Sequence, residues 1–278
     1  MGKNKLVEIY ENVIQEIRDG FFINWKGERV KIPNSKLKKS VMYKDDDLKD
    51  PISVKKFDSC KIYVQNIDTF LKAIEMGENT AILNMANSKT PGGGVSKGAV
   101  AQEECLCRRS NLLYSLYSFT GWGNRLFKFE NDFNYPISTY GGIYSPKVFI
   151  YRDPSYKTYL SGFYTNVISA AAIIHPKYDP ETLMIHKDQV HIVKRKIKSI
   201  LRIALLNGNT KLVLGAFGCG AFCNPPKHVA LLFKEVLESE EFKNAFEEVC
   251  FAVLDDHNTG KDHNPEGNYK PFVEVFGE

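Results

Sequence analysis

Residues 81–118 bring together residue types that could perform chemistry on a phosphate-bearing ligand. A short apolar run leads into a loop with three consecutive glycines at 92–94, and Gln-Glu-Glu follows at 102–104 after seven further residues. A backbone without Cβ atoms can approach a ligand closely, and a helix start attracts anions. Two neighbouring carboxyl groups beside such a loop can exchange protons with a substrate. The spacing therefore predicts a ligand-binding loop with an acid–base pair next to it.

Each of these features also has a purely structural explanation. Glycine runs are common in flexible surface loops. An acidic residue in the first turn of a helix is favoured by the helix dipole, which accounts for one glutamate without any role in catalysis. Two glutamates and a glutamine at a fixed distance from three glycines are explained less easily in this way. We therefore favour the functional interpretation of the segment.

A second glycine-rich loop has the sequence GAFGCGAF at residues 215–222. It follows an apolar strand pattern and precedes a predicted helix, so its N–H groups could surround phosphate oxygens. The pattern alone is a weak signal. In open α/β sheets, however, ligands bind beyond the carboxyl ends of the strands, and both glycine-rich loops follow strands. We therefore expect the two loops to meet at one cleft.

These loops need a scaffold, and the apolar pattern predicts one. Strands are predicted at 61–66, 80–84, 148–151, 165–174, 211–217 and 249–256, and helices at 3–19, 102–118, 188–206 and 227–237. Strands that alternate with helices indicate an α/β layered fold with a mixed, largely parallel sheet. The basic side of the helix at 188–206 is expected to face solvent. Residues 34–58 are interpreted as a solvated connection or irregular accessory segment, and the chain after 256 as a polar tail.

Composition narrows the function classes. A net charge of +4 over 278 residues suits an anionic ligand without indicating a surface that coats nucleic acid. No run of 18 apolar residues is present, and the first residues lack the apolar core of a signal peptide, so we expect no membrane span and an intracellular, cytoplasmic protein, or a nuclear one in a eukaryote. Six scattered cysteines indicate reduced thiols, and their spacing disfavours a zinc site.

The motif GGG-x7-QEE, preceded by LNMAN and followed by CLCRRSNLLYSL, resembles the signature of the poly(ADP-ribose) glycohydrolase family in its bacterial-type (microbial) branch. The segment SPKVFIYRD at 145–153 is similar to another element of that family. The resemblance implies a macrodomain-like three-layer sandwich at residues 56–278, with residues 1–55 as a helical N-terminal accessory segment. It also implies an enzyme that hydrolyses the ribose–ribose O-glycosidic bond of poly(ADP-ribose) and releases ADP-ribose. We expect a monomer without cofactor or metal that acts on ADP-ribose polymer or ADP-ribosylated macromolecules.

The resemblance further implies a role for individual residues. Glu104 would protonate the leaving ribose oxygen and then remove a proton from the attacking water, while Glu103 would orient the ribose. Two adjacent carboxyl groups should also raise the pKa of at least one of them. Asn87, helped by Asn84, would bind the distal ribose. The other expected substrate-binding residues are Gly92, Gly93, Gly94, Gln102, Asp68, Gly218, Cys219, Gly220, Ala221 and Phe222.

Several of these assignments have an open alternative. Asp68 could cap the helix that starts at Thr69 or contact an adenine amino group. Asn84 and Asn87 could bond their own backbone within a turn. Phe222 could belong to the core or lie against a ribose or adenine ring. For the whole protein, the alternatives are a mono-ADP-ribosyl hydrolase and a non-catalytic ADP-ribose reader. A dinucleotide-dependent oxidoreductase is a remote alternative. Such enzymes have a glycine motif that opens the helix after the first strand, and neither glycine loop has that position here.

Overall fold

The computed structural model of the chain describes residues 1–129, 134–256 and 258–277. Most of these residues belong to one mixed α/β unit. Its strands are β1 (Phe21–Ile23), β2 (Arg29–Lys31), β3 (Val41–Tyr43), β4 (Lys61–Gln65), β5 (Thr80–Met85), β6 (Gly142–Arg152), β7 (Thr158–Ala170), β8 (Lys211–Leu214) and β9 (Glu248–Ala252). Its helices are α1 (Lys3–Asp19), α2 (Thr69–Met76), α3 (Gln102–Arg109), α4 (Leu112–Tyr117), α5 (Gly121–Phe127), α6 (Lys187–Leu206), α7 (Pro226–Leu237) and α8 (Tyr269–Phe276). None of the described helices is long and apolar enough to cross a membrane.

The described strands form a seven-stranded sheet in the order β3-β6-β7-β5-β8-β9-β4, while β1 and β2 pair separately as a hairpin. The pairs β3–β6 and β6–β7 are antiparallel, and the four pairs from β7 to β4 are parallel. The prediction of a mixed, largely parallel sheet is therefore confirmed. The carboxyl ends of β5, β8, β9 and β4 lie along one edge of the sheet because these strands run in the same direction.

Alternating side chains of the strands feed two cores, one on each face of the sheet. In β5, Ala81 and Leu83 belong to the core covered by α6, α7 and α8, whereas Ile82 belongs to the core covered by α1 to α4. All three side chains are at most 1% exposed. Burial on both faces explains why the inner strands are continuous apolar runs rather than alternating patterns. The three-layer architecture predicted from the sequence is thus confirmed.

The single helix predicted at 102–118 is wrong, because the chain breaks between Arg109 and Leu112. At the break, Ser110 forms a β-bridge with Ile150, and Asn111 exchanges two hydrogen bonds with Phe149. The Asn111 N–H donates to the Phe149 carbonyl (3.1 Å), and the Phe149 N–H donates to Asn111 Oδ1 (2.8 Å). The side-chain amide and backbone of Asn111 thus form hydrogen bonds with β6 in place of helical hydrogen bonds, and the helix ends there.

The polar tail predicted after residue 256 is also wrong in its last part, since Tyr269–Phe276 form α8. Phe272 is fully buried, and its ring lies 5.3 Å from that of Phe251 in β9. The apolar residues Tyr269, Phe272, Val273 and Phe276 recur at helical spacing, so the sequence did contain the signal for this helix.

The strands differ from their predicted limits as well. The predicted strand at 165–174 ends at Ala170 but starts as early as Thr158, where β7 forms a long hairpin with β6. The predicted strands at 211–217 and 249–256 end at Leu214 and Ala252. The first residues past the three strand ends, such as Ala171, Ala216 and Val253, are still buried, so the apolar run extends beyond the sheet in the sequence.

Residues 34–58 are more than the solvated connection expected from their charge, because β3 pairs with β6 at the edge of the main sheet. The basic side of α6 holds this segment in place and is not all in solvent. Arg202, which is 5% exposed, donates to the carbonyls of Leu48 (2.6 Å) and Lys49 (3.0 Å) and forms two 2.7 Å hydrogen bonds with the carboxylate of Glu241. The proposed boundary between residues 55 and 56 stays a prediction.

The buried position of Arg202 leads to a first prediction. Arg202→Met should lower the free energy of unfolding by about 3–5 kcal/mol, because the carboxylate of Glu241, which is only 11% exposed, would lose its positively charged partner. Chemical denaturation of both proteins measures the difference. The control Lys234→Met removes an ion pair to Glu238 whose side chains are 44% and 63% exposed, and should cost less than about 1 kcal/mol. Equal effects of the two substitutions would contradict the anchoring role of Arg202.

Candidate active site

A cleft of about 670 Å³ opens at the carboxyl ends of β4, β5, β8 and β9. Both glycine-rich loops and the start of α3 line it, so the structure brings together eleven of the fourteen residues predicted for the site. These are Asp68, Asn87, Gly93, Gly94, Gln102, Glu103, Glu104, Gly218, Gly220, Ala221 and Phe222. Asn84, Gly92 and Cys219 are not part of the cleft lining. Asn84 and Cys219 are completely buried behind it.

The carboxyl group of Glu103 joins three separate backbone segments behind the cleft. Its Oε2 accepts a hydrogen bond from the Asn87 N–H (2.8 Å), and its Oε1 accepts from the Gly92 N–H (3.1 Å) and Asn84 Nδ2 (3.4 Å). The residue is 3% exposed. Burial raises the pKa of Glu103 to about 8, and the neighbouring charge of Glu104 adds to this effect, whereas the three N–H donors oppose it. The expectation that one of the two adjacent carboxyl groups has a raised pKa holds for Glu103.

Glu104 has a different hydrogen-bonding pattern. Its Oε1 accepts a 2.8 Å hydrogen bond from the Gly94 N–H. Its Oε2 is buried and has no hydrogen-bond partner among the described residues. Glu104 lines the cleft, and it is the member of the pair with an oxygen to which no described residue donates, whereas Glu103 uses both oxygens internally.

The first glycine loop wraps closely around these carboxyl groups. Gly93 has a φ of +57°, and a Cβ atom there would lie 2.4 Å from Glu104 Oε1 and 3.1 Å from Glu103 Oε2. The N–H groups of Gly92 and Gly94 both donate to the glutamates. They are therefore occupied by the protein itself, and the role of this loop in substrate binding stays a prediction.

Two further predicted residues use their side-chain amides to fix the chain. Gln102 accepts from the Met85 N–H (2.9 Å) and donates to the Leu83 carbonyl (2.7 Å), which attaches the start of α3 to the end of β5. Asn87 Oδ1 accepts from the N–H groups of Lys89 and Thr90 and closes a turn. The amide nitrogen of Asn87 has no acceptor in the part of the chain that the structure describes, so it remains free for a ligand.

Asp68 has the helix-capping role considered from the sequence. Its Oδ1 accepts from the N–H groups of Phe70 and Leu71 (3.0 Å each) at the start of α2. Its Oδ2 accepts a 2.7 Å hydrogen bond from Nη1 of the buried Arg109. Asp68 also lines the cleft, so capping and contact with a ligand are compatible at this position.

The second glycine loop is fixed by contacts on the side that faces the protein interior. Gly218 has a φ of +78°, and a Cβ there would lie 2.6 Å from both Ala172 Cβ and Asn224 Nδ2. Asn224 Nδ2 donates to the carbonyls of Ile173, Gly218 and Phe222, and His263 Nε2 lies 2.9 Å from the Cys219 carbonyl.

The same loop has backbone N–H groups that are not used in hydrogen bonds within the protein. Within the described ranges, the N–H groups of residues 218, 220, 221 and 222 have no hydrogen-bond acceptor. Such a row of free N–H groups suits an anion. The half-buried Phe222 ring packs against the core and also lines the cleft, and its contact with a ribose or adenine ring stays a prediction.

Sequence reasoning missed one wall of the cleft, which is formed by the chain between β9 and α8. Its polar members are Asp256, Asn258, Lys261 and Asn268. Lys261 is the one cation among the lining residues that the structure describes. This segment follows a buried strand at the same edge of the sheet as the glycine loops, and that position was the available signal. No group of three or more metal-ligating side chains occurs among the described residues.

Comparison with known proteins gives consistent matches. The family model for the catalytic domain of microbial-type PARG, or poly(ADP-ribose) glycohydrolase, matches residues 11–153. The structure of poly(ADP-ribose) glycohydrolase from Thermomonospora curvata is 24% identical, covers 98% of this chain and 100% of its own, and superposes with a TM-score of 0.81. The enzyme from Deinococcus radiodurans, solved in complex with ADP-ribose, is 30% identical over 88% of this chain and 98% of its own, with a TM-score of 0.68. No curated protein sequence matches the chain.

The close approach at Gly93 can be tested with a matched control. Gly208 also has a positive φ (+69°), but a Cβ there would meet no atom within 4 Å. Gly208→Ala should therefore lower the free energy of unfolding by only about 1–2 kcal/mol, the cost of the left-handed conformation itself. Gly93→Ala should cost clearly more, because Glu103 and Glu104 must also move. Chemical denaturation of the two variants measures both costs, and equal values would show that the contact with the carboxylates is unimportant.

The raised pKa of Glu103 makes a prediction about pH. Between pH 4.5 and about 8 the unfolded chain has lost this proton and the folded chain keeps it, so raising the pH destabilises the folded protein. The difference in unfolding free energy between the parent and Glu103→Gln should fall across this range by up to about 1.4 kcal/mol per pH unit. Denaturation at several pH values measures it. A difference that rises with pH would mean that the three N–H donors outweigh burial.

Proposed function

The chain belongs to the microbial-type poly(ADP-ribose) glycohydrolase family, and we propose that Glu104 is the general acid and base of its reaction. The protein is an enzyme that hydrolyses glycosidic bonds of poly(ADP-ribose). One observation carries the assignment to Glu104. The Oε2 atom of this residue has no hydrogen-bond partner among the described residues, whereas both oxygens of Glu103 accept hydrogen bonds from the protein.

The proposed reaction uses this one oxygen twice. The protonated carboxyl group of Glu104 donates its proton to the oxygen of the leaving ribose while the glycosidic C–O bond breaks. The other ribose, which loses this bond, becomes oxocarbenium-like. The resulting carboxylate then accepts a proton from the water that attacks the same carbon. The hydrogen bond from the Gly94 N–H to Oε1 fixes the orientation of the carboxyl group through both steps.

In this proposal Glu103 is a positioning residue. Its hydrogen bonds hold the turn at Asn87 and the loop at Gly92 against the start of α3. The free amide nitrogen of Asn87 then points to a ribose hydroxyl, and Glu104 reaches the neighbouring glycosidic oxygen. A shift of Glu103 would therefore disturb both the ribose site and the acid–base group.

The remainder of the cleft suits the remainder of an ADP-ribose unit. The free N–H groups at 218–222 suit the diphosphate, with Lys261 as a nearby cation, and Asp68 and Phe222 suit the adenosine end. The cleft volume of about 670 Å³ lies in the usual range for small-molecule sites. We also propose a monomer, because a single chain supplies every cleft residue described above. Its six free cysteines suit a reducing compartment of the cell.

The role of Glu104 is tested by Glu104→Gln. Hydrolysis of poly(ADP-ribose) should fall by a factor of about 10²–10⁴, because the amide can neither donate nor accept the proton in the same way. Binding of ADP-ribose should be retained, since the other contacts are unchanged. Release of ADP-ribose and calorimetric binding measure the two effects. Glu78→Gln, at an exposed carboxyl group outside the cleft, serves as the control and should keep the parental rate.

Three outcomes would contradict the proposal. Polymer hydrolysis by Glu104→Gln at the parental rate would exclude its role as acid and base. A parent protein that binds ADP-ribose tightly but releases none from polymer would instead be a reader, and one that acts only on singly modified proteins would be a mono-ADP-ribosyl hydrolase.

A further inference from the structure

An exposed apolar surface lies outside the cleft, on the β1–β2 hairpin and the outer part of β7. Trp25, Leu160 and Phe163 are 40–64% exposed there and line one cavity together with Tyr159, and we call these four residues the aromatic surface. A contiguous apolar group of this kind commonly marks an interaction site, whereas single exposed apolar residues do not.

The aromatic surface is rigidly presented. Asn24, which is 3% exposed, donates to the Leu160 carbonyl (3.1 Å) and accepts from the N–H groups of Lys26 and Glu28, so the turn that carries Trp25 is fixed on β7. Beneath it, the Phe22 and Tyr151 rings stack at 4.9 Å. A partner that bound here would meet preformed ring positions and would have little ordering cost to overcome.

The surface also contains a cavity of about 740 Å³. Trp25, Tyr159, Leu160 and Phe163 supply its apolar walls, and Lys157 and Asp153 lie at one end. Tyr159 and Phe163 meet edge to face at a centroid distance of 5.3 Å. A flat purine ring is a suitable ligand for a cavity with aromatic walls, because aromatic side chains stack on bases of any sequence.

Positive charges surround these rings. Lys26 Nζ lies 5.4 Å from the centroid of the Trp25 ring. The hairpin at 21–32 and the segment at 153–164 carry the cations Lys26, Arg29, Lys31 and Lys157 and the carboxylates Glu28 and Asp153.

Both carboxylates already have partners within the protein. Glu28 accepts from Asn24 Nδ2, and Asp153 accepts from the N–H groups of Ser155 and Lys157. The four cations outnumber these two carboxylates, and the net positive charge together with the exposed rings suits a single-stranded polyanion that carries bases.

The aromatic surface approaches the catalytic cleft in space. Cys105, which follows Glu104 and lines the cleft, has its Sγ 3.6 Å from the hydroxyl of Tyr156. Asp153 and Lys157, on either side of Tyr156 in the β6–β7 turn, line the second cavity. A polymer engaged in the cleft could continue past this turn without leaving the protein surface.

We propose that the aromatic surface is a second binding site for the poly(ADP-ribose) chain, which holds adenine bases and phosphates of units outside the catalytic cleft. The inference rests on the proposed function, because that function supplies the polymer. The site gives long chains an advantage over short ones, since a long chain occupies both sites at once and the second contact is intramolecular.

The test compares long and short polymers with the double variant Trp25→Ala/Phe163→Ala. Its kcat/KM for chains of tens of units should fall by about tenfold or more, the effect of losing base stacking. Its kcat/KM for the two-unit substrate should stay at the parental value. Trp122→Ala removes another exposed tryptophan, 42% exposed on α5, and should affect neither substrate. Thermal unfolding should be nearly unchanged in both variants because the side chains are exposed.

A binding measurement tests the second site independently of the proposed function. In a Glu104→Gln background, the double variant should bind long polymer about tenfold more weakly and bind ADP-ribose as before. This binding measurement is informative even if the parent protein hydrolyses nothing. An inactive parent would contradict the proposed function but not the second binding site. Unchanged binding and turnover of long chains, or equal losses on long and short chains, would overturn the second site. Tighter binding of a single-stranded oligonucleotide than of polymer, lost in the double variant, would also overturn it in favour of a nucleic-acid site.

Discussion

The site depends on one buried carboxyl group, because Glu103 can be accommodated only if several segments bring N–H groups to it. A buried carboxyl group whose oxygens lack hydrogen-bond donors is costly even when it is protonated, and its ionised form costs more still. Here the donors come from the end of β5, from the turn at Asn87 and from the glycine loop at Gly92. Placing this one group correctly therefore places the wall of the cleft. The raised pKa of Glu103 shows that the N–H donors offset the effect of burial only in part.

The helix that carries Glu103 connects several parts of the molecule at once. Gln102 binds the end of β5, and Glu104 reaches the cleft. One turn later, Arg108 donates to the carbonyls of Leu6 in α1 and Val95 beyond the glycine loop. Arg109 holds Asp68 and so joins the two ends of the cleft. α3 spans only eight residues, yet it aligns the N-terminal helix, the central sheet and both sides of the site.

Much of this could be predicted from the sequence, and the exceptions have physical reasons. Buried parallel strands are continuous apolar runs, so β5 and β8 were visible, and the glycines and glutamates stood out by type and spacing. The helix break at Asn111 depends on a pairing with Phe149, and the cleft wall with Asp256 and Lys261 depends on where the chain runs after β9. No local pattern encodes either contact. The two glycine loops also look alike in sequence, but Gly92 and Gly94 satisfy the protein's own carboxylates whereas the loop at 218–222 keeps its N–H groups free.

The order of strands in the sheet has a consequence for how the protein is made. Among the described strands, β4, which leads to Asp68, pairs with β9 alone, with Lys61 opposite Glu248. The last part of the cleft lining is Asn268. During translation, a ribosome would thus have to deliver nearly the whole chain before Asp68, Glu104 and the loop at 218–222 could face one another. A nascent chain that stops earlier has the catalytic motif but no cleft, so the cell would obtain activity only from polypeptides whose synthesis has passed that point.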